Sequence, residues 1–343
     1  MDTLIETSNH LWTRWRVAEG LCSLAAVLLL FCTPGRTLDD TDAIPDALDR
    51  TYKEWMSKND LTTGSLAAMK NGVVVKSFGY GNLQASQPAQ IASLSKAVTA
   101  VCLAHLIDEG RLSFAAPLGM VLAQTFKKFG EPVDARFKAI TIEQLLKHRS
   151  GLPREPVRVG NPPRDMSETF SKVLLTQLET EPGAKMSYSN IGYLTLGMVT
   201  QAVTGSNYES YCKRVALEPL KASGSIDPQL RARAPNGGWR ISAVDYAKFV
   251  QAFDQHSVVL GPRSLDWLES QKENPDYGLG TFLRHTPKGI NYWHDGSVAT
   301  QIGGGSFFFK SYNGWTVVVL FVRRVESSAY RDLSEHLMRA MLP

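Results

Sequence analysis

The chain has 343 residues, of which 43% are hydrophobic and 20% charged, and its net charge at pH 7 is +4. This composition is typical of a globular protein and excludes a disordered or fibrous chain, and the length suffices for one large or two smaller domains. The positive charge is modest and no run of lysine and arginine accompanies it, so nucleic acid is not expected as a partner.

An apolar run near the N-terminus indicates export. Residues 21–32 (LCSLAAVLLLFC) carry no charged side chain and follow Arg14 and Arg16. A run of twelve is short for a membrane span but suits the hydrophobic region of a secretory signal. No A-x-A cleavage pattern follows it. We therefore expect an exported protein, periplasmic or secreted, in which residues 1–36 are either a removed signal peptide or a retained membrane anchor.

The cysteines give little constraint on the fold. Cys22 and Cys32 lie in the apolar run, which leaves Cys102 and Cys212. Two cysteines cannot form a disulfide framework, and their spacing is not that of a zinc site. Cys102 falls on the apolar face of a predicted helix, where a small hydrophobic residue is expected. A single bridge is neither required nor excluded.

Apolar spacing and turn residues predict strands at both ends of the chain and helices between them. The predicted strands are 64–69 and 73–79, joined by an Asn71-Gly72 turn, and 292–294, 303–310 and 315–322. The predicted helices are 44–57, 190–204, 242–253 and 333–341, together with a mostly buried helix that follows a short entry segment within 90–110. Residues 140–148 enter a further helix, for which Thr141 is the expected cap. This order predicts an α+β fold, with one sheet assembled from both chain ends and a mainly helical lobe beside it.

The stretch 90–110 organises the chain, and the front of its helix carries the first candidate site. Ser93 and Lys96 are three residues apart, so both side chains lie on one face at the helix start. The N–H groups there favour developing negative charge, and an amine beside a serine can take its proton. The alternative is that Ser93 is an ordinary helix cap. The same S-x-x-K pattern recurs at Ser210 and Lys213, which we assign to a surface helix.

Two later motifs add polar side chains to this pair. Tyr188 and Asn190 stand at a loop–helix junction, where both can point into one cleft; the alternative is Asn190 as the cap of the following helix, with Tyr188 packed beside it. His294, Asp295, Gly296 and Ser297 begin a strand near the C-terminus. There the alternative is a structural histidine at a strand edge and a glycine that allows a bend.

The three motifs, Ser-x-x-Lys, Tyr-x-Asn and His-x-Gly, follow one another at intervals of about a hundred residues. Together they resemble the serine β-lactamase and penicillin-binding-protein superfamily, in its branch of class C β-lactamases, D-alanyl-D-alanine carboxypeptidases and esterases. The resemblance covers roughly residues 48–322. Residues 140–153 (ITIEQLLKHRSGLP) are similar to a motif of that branch, as is 237–249 (GGWRISAVDYAKF), where Ile241 replaces a usual serine.

The resemblance implies a β-lactamase-like fold in residues 44–343. The sheet part would comprise about 44–90 and 237–343, and the helical lobe about 91–236. It also implies roles for the site residues. Ser93 would be the acylated nucleophile, with Lys96 or Tyr188 as its base; the resemblance does not decide which. A lysine or tyrosine needs a lowered pKa for this, and a cluster of Lys96, Tyr188 and His294 could lower both.

The remaining implied roles concern the substrate. Asn190 would hold Lys96 and the acyl amide of the substrate, and the backbone N–H groups of Ser93 and Ser297 would form the oxyanion hole. His294 and Gly296 would support this region. Neither a metal nor an organic cofactor is expected.

The third motif departs from the usual Lys-Thr-Gly of the lactamases, in which the lysine and threonine favour a substrate carboxylate. Here His294 is mostly neutral at pH 7, and Asp295 would repel a carboxylate by about 1 kcal/mol. The sequence thus predicts weak or no β-lactamase activity and a preference for esters, amides or amine-bearing peptides. If Asp295 points out of the cleft, its carboxylate does not disfavour such substrates.

The sequence therefore predicts a serine hydrolase that acts through an acyl-serine on a small-molecule or peptide substrate. The alternatives are a D-alanyl-D-alanine carboxypeptidase or class C β-lactamase, and a non-catalytic scaffold that keeps the fold. The presence of every residue of the three motifs argues against the scaffold. Membrane association is expected only through residues 21–32, and the oligomeric state is not predicted.

Overall fold

A computed structural model describes residues 40–271, 273, 276–298 and 303–341. The expected signal peptide or anchor at 1–36 lies outside these residues. Within them, an antiparallel sheet and a set of helices form the α+β architecture that the sequence predicts. No helix in this described part is long and apolar enough to span a membrane.

The strands and helices follow one another along the chain, with longer connections at 147–165 and 175–189. The strands are β1 (Gly64–Lys70), β2 (Val73–Tyr80), β3 (Ala89–Gln90), β4 (Ser225–Ile226), β5 (Trp239–Ile241), β6 (Asp276–Gly278), β7 (Thr281–Thr286), β8 (Gly289–Val298), β9 (Gly304–Lys310) and β10 (Trp315–Phe321). The α-helices are α1 (Asp40–Lys58), α2 (Ser95–Asp108), α3 (Leu118–Val121), α4 (Ala123–Phe129), α5 (Ile142–Leu146), α6 (Met166–Leu174), α7 (Asn190–Thr204), α8 (Tyr208–Cys212), α9 (Ala234–Gly237), α10 (Ala243–Phe249), α11 (Pro262–Ser270) and α12 (Ser327–Met341). Shorter helical turns are Ala92–Leu94, Ala135–Ala139, Lys213–Leu217, Glu218–Leu220, Pro228–Arg233 and Val250–Phe253.

The main sheet has seven strands in the order β2-β1-β10-β9-β8-β7-β6, and β3, β5 and β4 form a small second sheet. The N-terminal hairpin therefore joins the C-terminal strands through the pairing of β1 with β10, in which Gly64 lies opposite Phe321. Strands β6 and β7 were not predicted from the sequence. Their residues include glycines, threonines and charged side chains that blur an alternating pattern.

Successive side chains of the central strands point to opposite faces of the sheet, and the core therefore has two layers. Phe307 and Phe309 face a cluster formed with the terminal helices α1 and α12. Phe308 and Val318 face the larger core that contains the helical lobe. Helix α2 lies within this larger core, and its residues are buried on nearly all sides, as expected for a central helix.

The stretch 90–110 consists of a short entry segment and then a buried helix, as the sequence predicts. Residues Ala92–Leu94 form a separate 3-10 turn, and α2 begins at Ser95. Ala92 adopts a left-handed backbone conformation with φ +49°, which costs an alanine on the order of 1 kcal/mol. The cost is offset by the hydrogen bonds that Ser306 and Tyr246 donate to the backbone of this turn.

A disulfide joins two of the helices. Cys102 of α2 and Cys212 of α8 are bonded, with 5.4 Å between their Cα atoms, and both residues are buried. Cys102 is thus buried as expected but is not a free thiol. The bond links α2 to the segment that follows α7 and closes a loop with a sequence separation of 110 residues.

Candidate active site

Ser93 lies in the 3-10 turn immediately before α2, where it does not act as a helix cap. The cap position of α2 is Leu94, which makes no side-chain capping bond. The turn is anchored by hydrogen bonds to its neighbours: Ser306 Oγ donates to Ile91 O at 2.7 Å, and Tyr246 OH donates to Leu94 O at 3.0 Å. These bonds tie the turn both to β9 and to α10.

Lys96 is fully buried, and its amine reaches the hydroxyl of Ser93. Lys96 Nζ lies 3.2 Å from Ser93 Oγ, 2.9 Å from Asn190 Oδ1 and 2.8 Å from the backbone O of Asn236. Burial lowers the pKa of Lys96 well below its ordinary value, and the charge of Arg154 lowers it further. A neutral amine has two N–H groups and one lone pair. When Lys96 is neutral, the two carbonyl oxygens can take its N–H groups, which leaves the lone pair for the serine.

Tyr188 hydrogen-bonds the side chain of Ser93, and its ring centroid lies 4.9 Å from Lys96 Nζ. Burial raises the pKa of Tyr188 above its ordinary value. This is opposite to the lowering that the sequence suggested, because burial outweighs the lowering by Arg154, and the neutral His294 adds no positive charge. The tyrosine is therefore a protonated phenol at neutral pH and is suited to donate a proton rather than to remove one.

Asn190 is the first residue of α7, so the alternative in which it caps this helix is wrong. The cap is Ser189, whose Oγ accepts from the N–H of Gly192. The side chain of Asn190 is thereby free to point toward Lys96, with Nδ2 donating to Glu155 Oε1 at 2.6 Å. Asn236 Nδ2 donates to the backbone O of Asn190 at 2.9 Å, so the groups around the lysine also hold one another.

His294 is buried and neutral. Burial and the nearby Lys96 lower the pKa of His294 to about 3. Its Nδ1 lies 2.5 Å from the backbone O of Asp295, which can only accept, so Nδ1 carries the proton. Its Nε2 then accepts from Tyr277 OH at 3.0 Å. The ring is fixed in one tautomer and presents no cation to a substrate.

Gly296 permits the close approach of β8 and the Ser93 turn. A Cβ at this position would lie 2.5 Å from Ser306 Oγ, 2.8 Å from Ile91 O and 2.9 Å from Ala92 Cβ. The glycine is thus required by space rather than by a bend in the strand. The register of β7 with β8 ends at Trp293, so 294–298 have no strand partner on that edge among the residues that the structure describes.

Asp295 and Ser297 lie on the other face of β8 from His294. Asp295 pairs with Phe307, whose side chain faces the terminal helices. Asp295 is only partly exposed, and its charge still acts on Lys96 and Tyr188. Burial raises the pKa of Asp295 above its ordinary value. The Ser297 side chain is exposed.

His148 binds the backbone on both sides of Tyr188, although no role was predicted for it. Its backbone O accepts from Ser187 N at 2.8 Å, and its Nδ1 accepts from Ser189 N at 3.1 Å. Asn236, Glu155 and Tyr277 also had no predicted role. His148 stands in the motif at 140–153 and Asn236 directly precedes the one at 237–249, which is the only signal that pointed near them.

The second S-x-x-K pattern is a surface feature, as expected. Ser210 is exposed, and Lys213 forms an ion pair with Glu209 at 2.7 Å. Ser93, Lys96, Tyr188, Asn190 and His294 lie within one constellation, by contrast. The two S-x-x-K patterns have the same spacing in sequence, but only Ser93 and Lys96 have buried surroundings.

Comparisons with known proteins agree with this geometry. The family model described as Beta-lactamase matches residues 48–339. Protein flp of Staphylococcus aureus (strain N315) is 29% identical over 184 residues, which cover 50% of this chain but 36% of that protein. The chain therefore spans little more than a third of the length of this curated relative.

Solved structures share the fold at low sequence identity. The β-lactamase/D-alanine carboxypeptidase from Pseudomonas syringae superposes with a TM-score of 0.72 at 15% identity, over 88% of this chain and 100% of that one. The D-amino acid amidase from Ochrobactrum anthropi SV3 has a TM-score of 0.71 at 17% identity, over 87% and 98% of the two chains. The chain has the β-lactamase-like fold and belongs to the β-lactamase family.

Proposed function

We propose that this protein is a serine hydrolase that acts through an acyl-serine intermediate on amides, esters or small peptides. The observation that carries the proposal is the buried amine of Lys96, which lies 3.2 Å from Ser93 Oγ and has a strongly lowered pKa. A serine hydroxyl is a weak nucleophile at neutral pH and needs such a base beside it. Membership of the β-lactamase family supports the same chemistry.

In this proposal Lys96 takes the proton while Ser93 Oγ attacks the carbonyl carbon of the substrate. The tetrahedral intermediate then collapses and the bond to the leaving group breaks. Tyr188, a protonated phenol in contact with Ser93, donates a proton to the leaving group and is reprotonated from Lys96. Water then attacks the acyl-serine by the same route, releases the acid and regenerates Ser93.

We assign the oxyanion hole to the backbone N–H groups of Ser93 and Ser297. The support is the close contact at Gly296, which brings the turn that contains Ser93 against β8. Donors of this kind are typically worth a few kcal/mol in the transition state. Asn190 would hold Lys96 through Oδ1. One N–H of its Nδ2 is used by Glu155, and the second is left for the acyl amide of a substrate.

The charges near the site favour a substrate without a carboxylate. The neutral His294 stands where the lactamases usually have a lysine, so it cannot attract a carboxylate. Asp295 lies on the face of β8 opposite His294, but its negative charge still acts on Tyr188, as does that of Glu155. We therefore propose esters, amides or amine-bearing peptides as substrates, with weak or no hydrolysis of β-lactams.

One observation favours a second candidate, a D-alanyl-D-alanine carboxypeptidase. The exposed guanidinium of Arg154 lies 5.0 Å from the ring centroid of Tyr188 and offers a cation to a terminal carboxylate. A carboxypeptidase should cleave a peptide ending in D-Ala-D-Ala much faster than the same peptide with a C-terminal amide. An Arg154→Ala variant should abolish that difference. Equal rates on the two peptides would exclude this candidate.

The test of the proposed function is turnover on a panel of 4-nitrophenyl esters, amino acid 4-nitroanilides and a chromogenic cephalosporin. Ser93→Ala should abolish turnover, whereas Ser210→Ala, the same change in the surface S-x-x-K pattern, should leave it unchanged. Esters and anilides should rank above the cephalosporin. A protein that turns over none of the panel would favour the non-catalytic scaffold.

We further propose that residues 44–343 form the hydrolase unit, with the sheet part at about 44–90 and 237–343 and the helical lobe at about 91–236. The family match over 48–339 supports this extent.

We also propose export. The disulfide between Cys102 and Cys212 supports it, because such bonds form and persist in oxidising compartments.

A further inference from the structure

The C-terminal helix reaches the third motif through one side chain. Tyr330 of α12 is buried, and its hydroxyl donates to the backbone O of Gly296 at 2.7 Å. The Ser297 side chain in turn hydrogen-bonds the Tyr330 hydroxyl. The tyrosine therefore contacts both residues that share the peptide bond between Gly296 and Ser297.

That peptide unit is also the one whose N–H the proposed function assigns to the oxyanion hole. A trans peptide is planar and directs its C=O and its N–H in opposite directions. With the carbonyl of Gly296 held by Tyr330, the N–H of Ser297 points away from Tyr330. We propose that Tyr330 is a positioning residue, which orients and polarises this peptide so that its N–H can stabilise the oxyanion. The inference rests on the proposed function.

The packing around Tyr330 leaves room for this contact. Gly305 lies opposite Ser297 on β9, and a Cβ there would come within 2.3 Å of Tyr330 OH and 2.2 Å of the Phe321 ring. The start of α12 is also fixed, because Trp55 Nε1 donates to the backbone O of Ala329 at 2.9 Å. The space at Gly305 and the fixed start of α12 thus keep the Tyr330 hydroxyl next to β8.

The expected contribution is electronic as well as geometric. A hydrogen bond to the carbonyl of an amide makes the N–H of the same amide a stronger donor, because bonds in a chain polarise one another. Removing an oxyanion donor outright typically lowers kcat by a factor of 10²–10³. Removing the group that positions the donor should cost less, and we expect a loss of roughly tenfold.

Tyr330→Phe tests the inference, with Tyr52→Phe as a matched control. Tyr52 is also a buried tyrosine of a terminal helix, and its hydroxyl donates to a strand carbonyl, that of Leu320, at 2.9 Å. Both variants lose the same kind of bond. Tyr330→Phe should lower kcat for 4-nitrophenyl acetate roughly tenfold, with KM unchanged. It should weaken the binding of phenylboronic acid, which forms a tetrahedral adduct with the serine, by a similar factor. Tyr52→Phe should change neither.

If Tyr330→Phe matches Tyr52→Phe in kcat and in boronic acid affinity, Tyr330 has a merely structural role and the inference is wrong. If the wild-type protein neither turns over the ester nor binds the boronic acid, the proposed function itself has failed, and this inference fails with it. The two failures are therefore distinguishable.

A second measurement applies if Tyr330→Phe does not fold. Site-specific 3-fluorotyrosine keeps the ring and the hydroxyl but makes the hydroxyl a stronger donor. At position 330 it should tighten phenylboronic acid binding relative to wild type, and at position 52 it should not. An unchanged affinity at position 330 would overturn the inference.

Discussion

His148 lies against Tyr188, with their ring centroids 4.3 Å apart, and it also binds the backbone on either side of the tyrosine. Its carbonyl accepts from Ser187 N–H and its Nδ1 from Ser189 N–H. His148 itself has φ +54°, a left-handed conformation that few residues adopt readily. One buried histidine thus fixes both the course of the loop and the face of the ring that approaches Ser93.

This arrangement predicts that the acceptor on His148 is needed for fast acylation. His148→Asn and His148→Gly both tolerate the left-handed backbone, and both lose the ring. Only asparagine supplies an oxygen for the N–H of Ser189. We expect His148→Gly to react with a fluorophosphonate about tenfold more slowly than His148→Asn, measured by intact mass against time. Equal labelling rates in the two variants would show that the bond to Ser189 does not position Tyr188.

The lowered pKa of Lys96 predicts a pH dependence of stability. Because the pKa is lower in the folded than in the unfolded protein, the unfolded chain binds more protons between the two values, and stability rises with pH in that window. Urea unfolding of the wild type should therefore give a larger free energy at about pH 9.5 than at about pH 7.5. In Lys96→Met this gain should be smaller by roughly 1–3 kcal/mol. The same gain in both proteins would mean that Lys96 is protonated in the folded state.

Asp295 is predicted to disfavour substrates that carry a carboxylate. Asp295→Thr removes this charge and should raise the ratio of cephalosporin to 4-nitrophenyl acetate hydrolysis by about fivefold, equivalent to about 1 kcal/mol. Asp266→Thr, at an exposed position on α11, is the control and should leave the ratio unchanged. A ratio that does not move in Asp295→Thr would show that the carboxylate does not act on bound substrate.

The bond between Cys102 and Cys212 is predicted to stabilise the fold. It closes a long loop, and bonds of that separation typically contribute a few kcal/mol through the unfolded state. The double variant Cys102→Ala/Cys212→Ala should unfold in urea with a free energy lower by about 3–5 kcal/mol. Peptide mapping without reductant should find the two cysteines in one linked fragment. Two unlinked fragments would contradict the structure here.

The elements with a strong local pattern could be predicted from the sequence, and the contacts that assemble the site could not. The buried helix Asn190–Thr204 and the turn at Asn71-Gly72 have clear local signals. The strands β6 and β7 lack one. The sequence cannot show that the carbonyl of Asn236 binds Lys96, because every residue has a carbonyl and its direction depends on the tertiary fold.

The same limit explains why the local pattern left the helix cap open and why the expected direction of the Tyr188 pKa was wrong. Ser189 and Asn190 are both good capping residues, and the choice between them depends on whether Asn190 has a partner in the core. It does, in Lys96. The direction of the Tyr188 pKa also depends on burial and on the neutral state of His294, neither of which the motif spacing reveals.

The most direct test of the proposed chemistry is intact-mass analysis after exposure to a fluorophosphonate, followed by peptide mapping of the adduct. The wild type and Ser210→Ala should each gain one adduct on Ser93, Lys96→Met should gain it far more slowly, and Ser93→Ala should gain none. An adduct that persists in Ser93→Ala, or a wild type that gains none, would contradict the assignment of Ser93 as an acylated nucleophile.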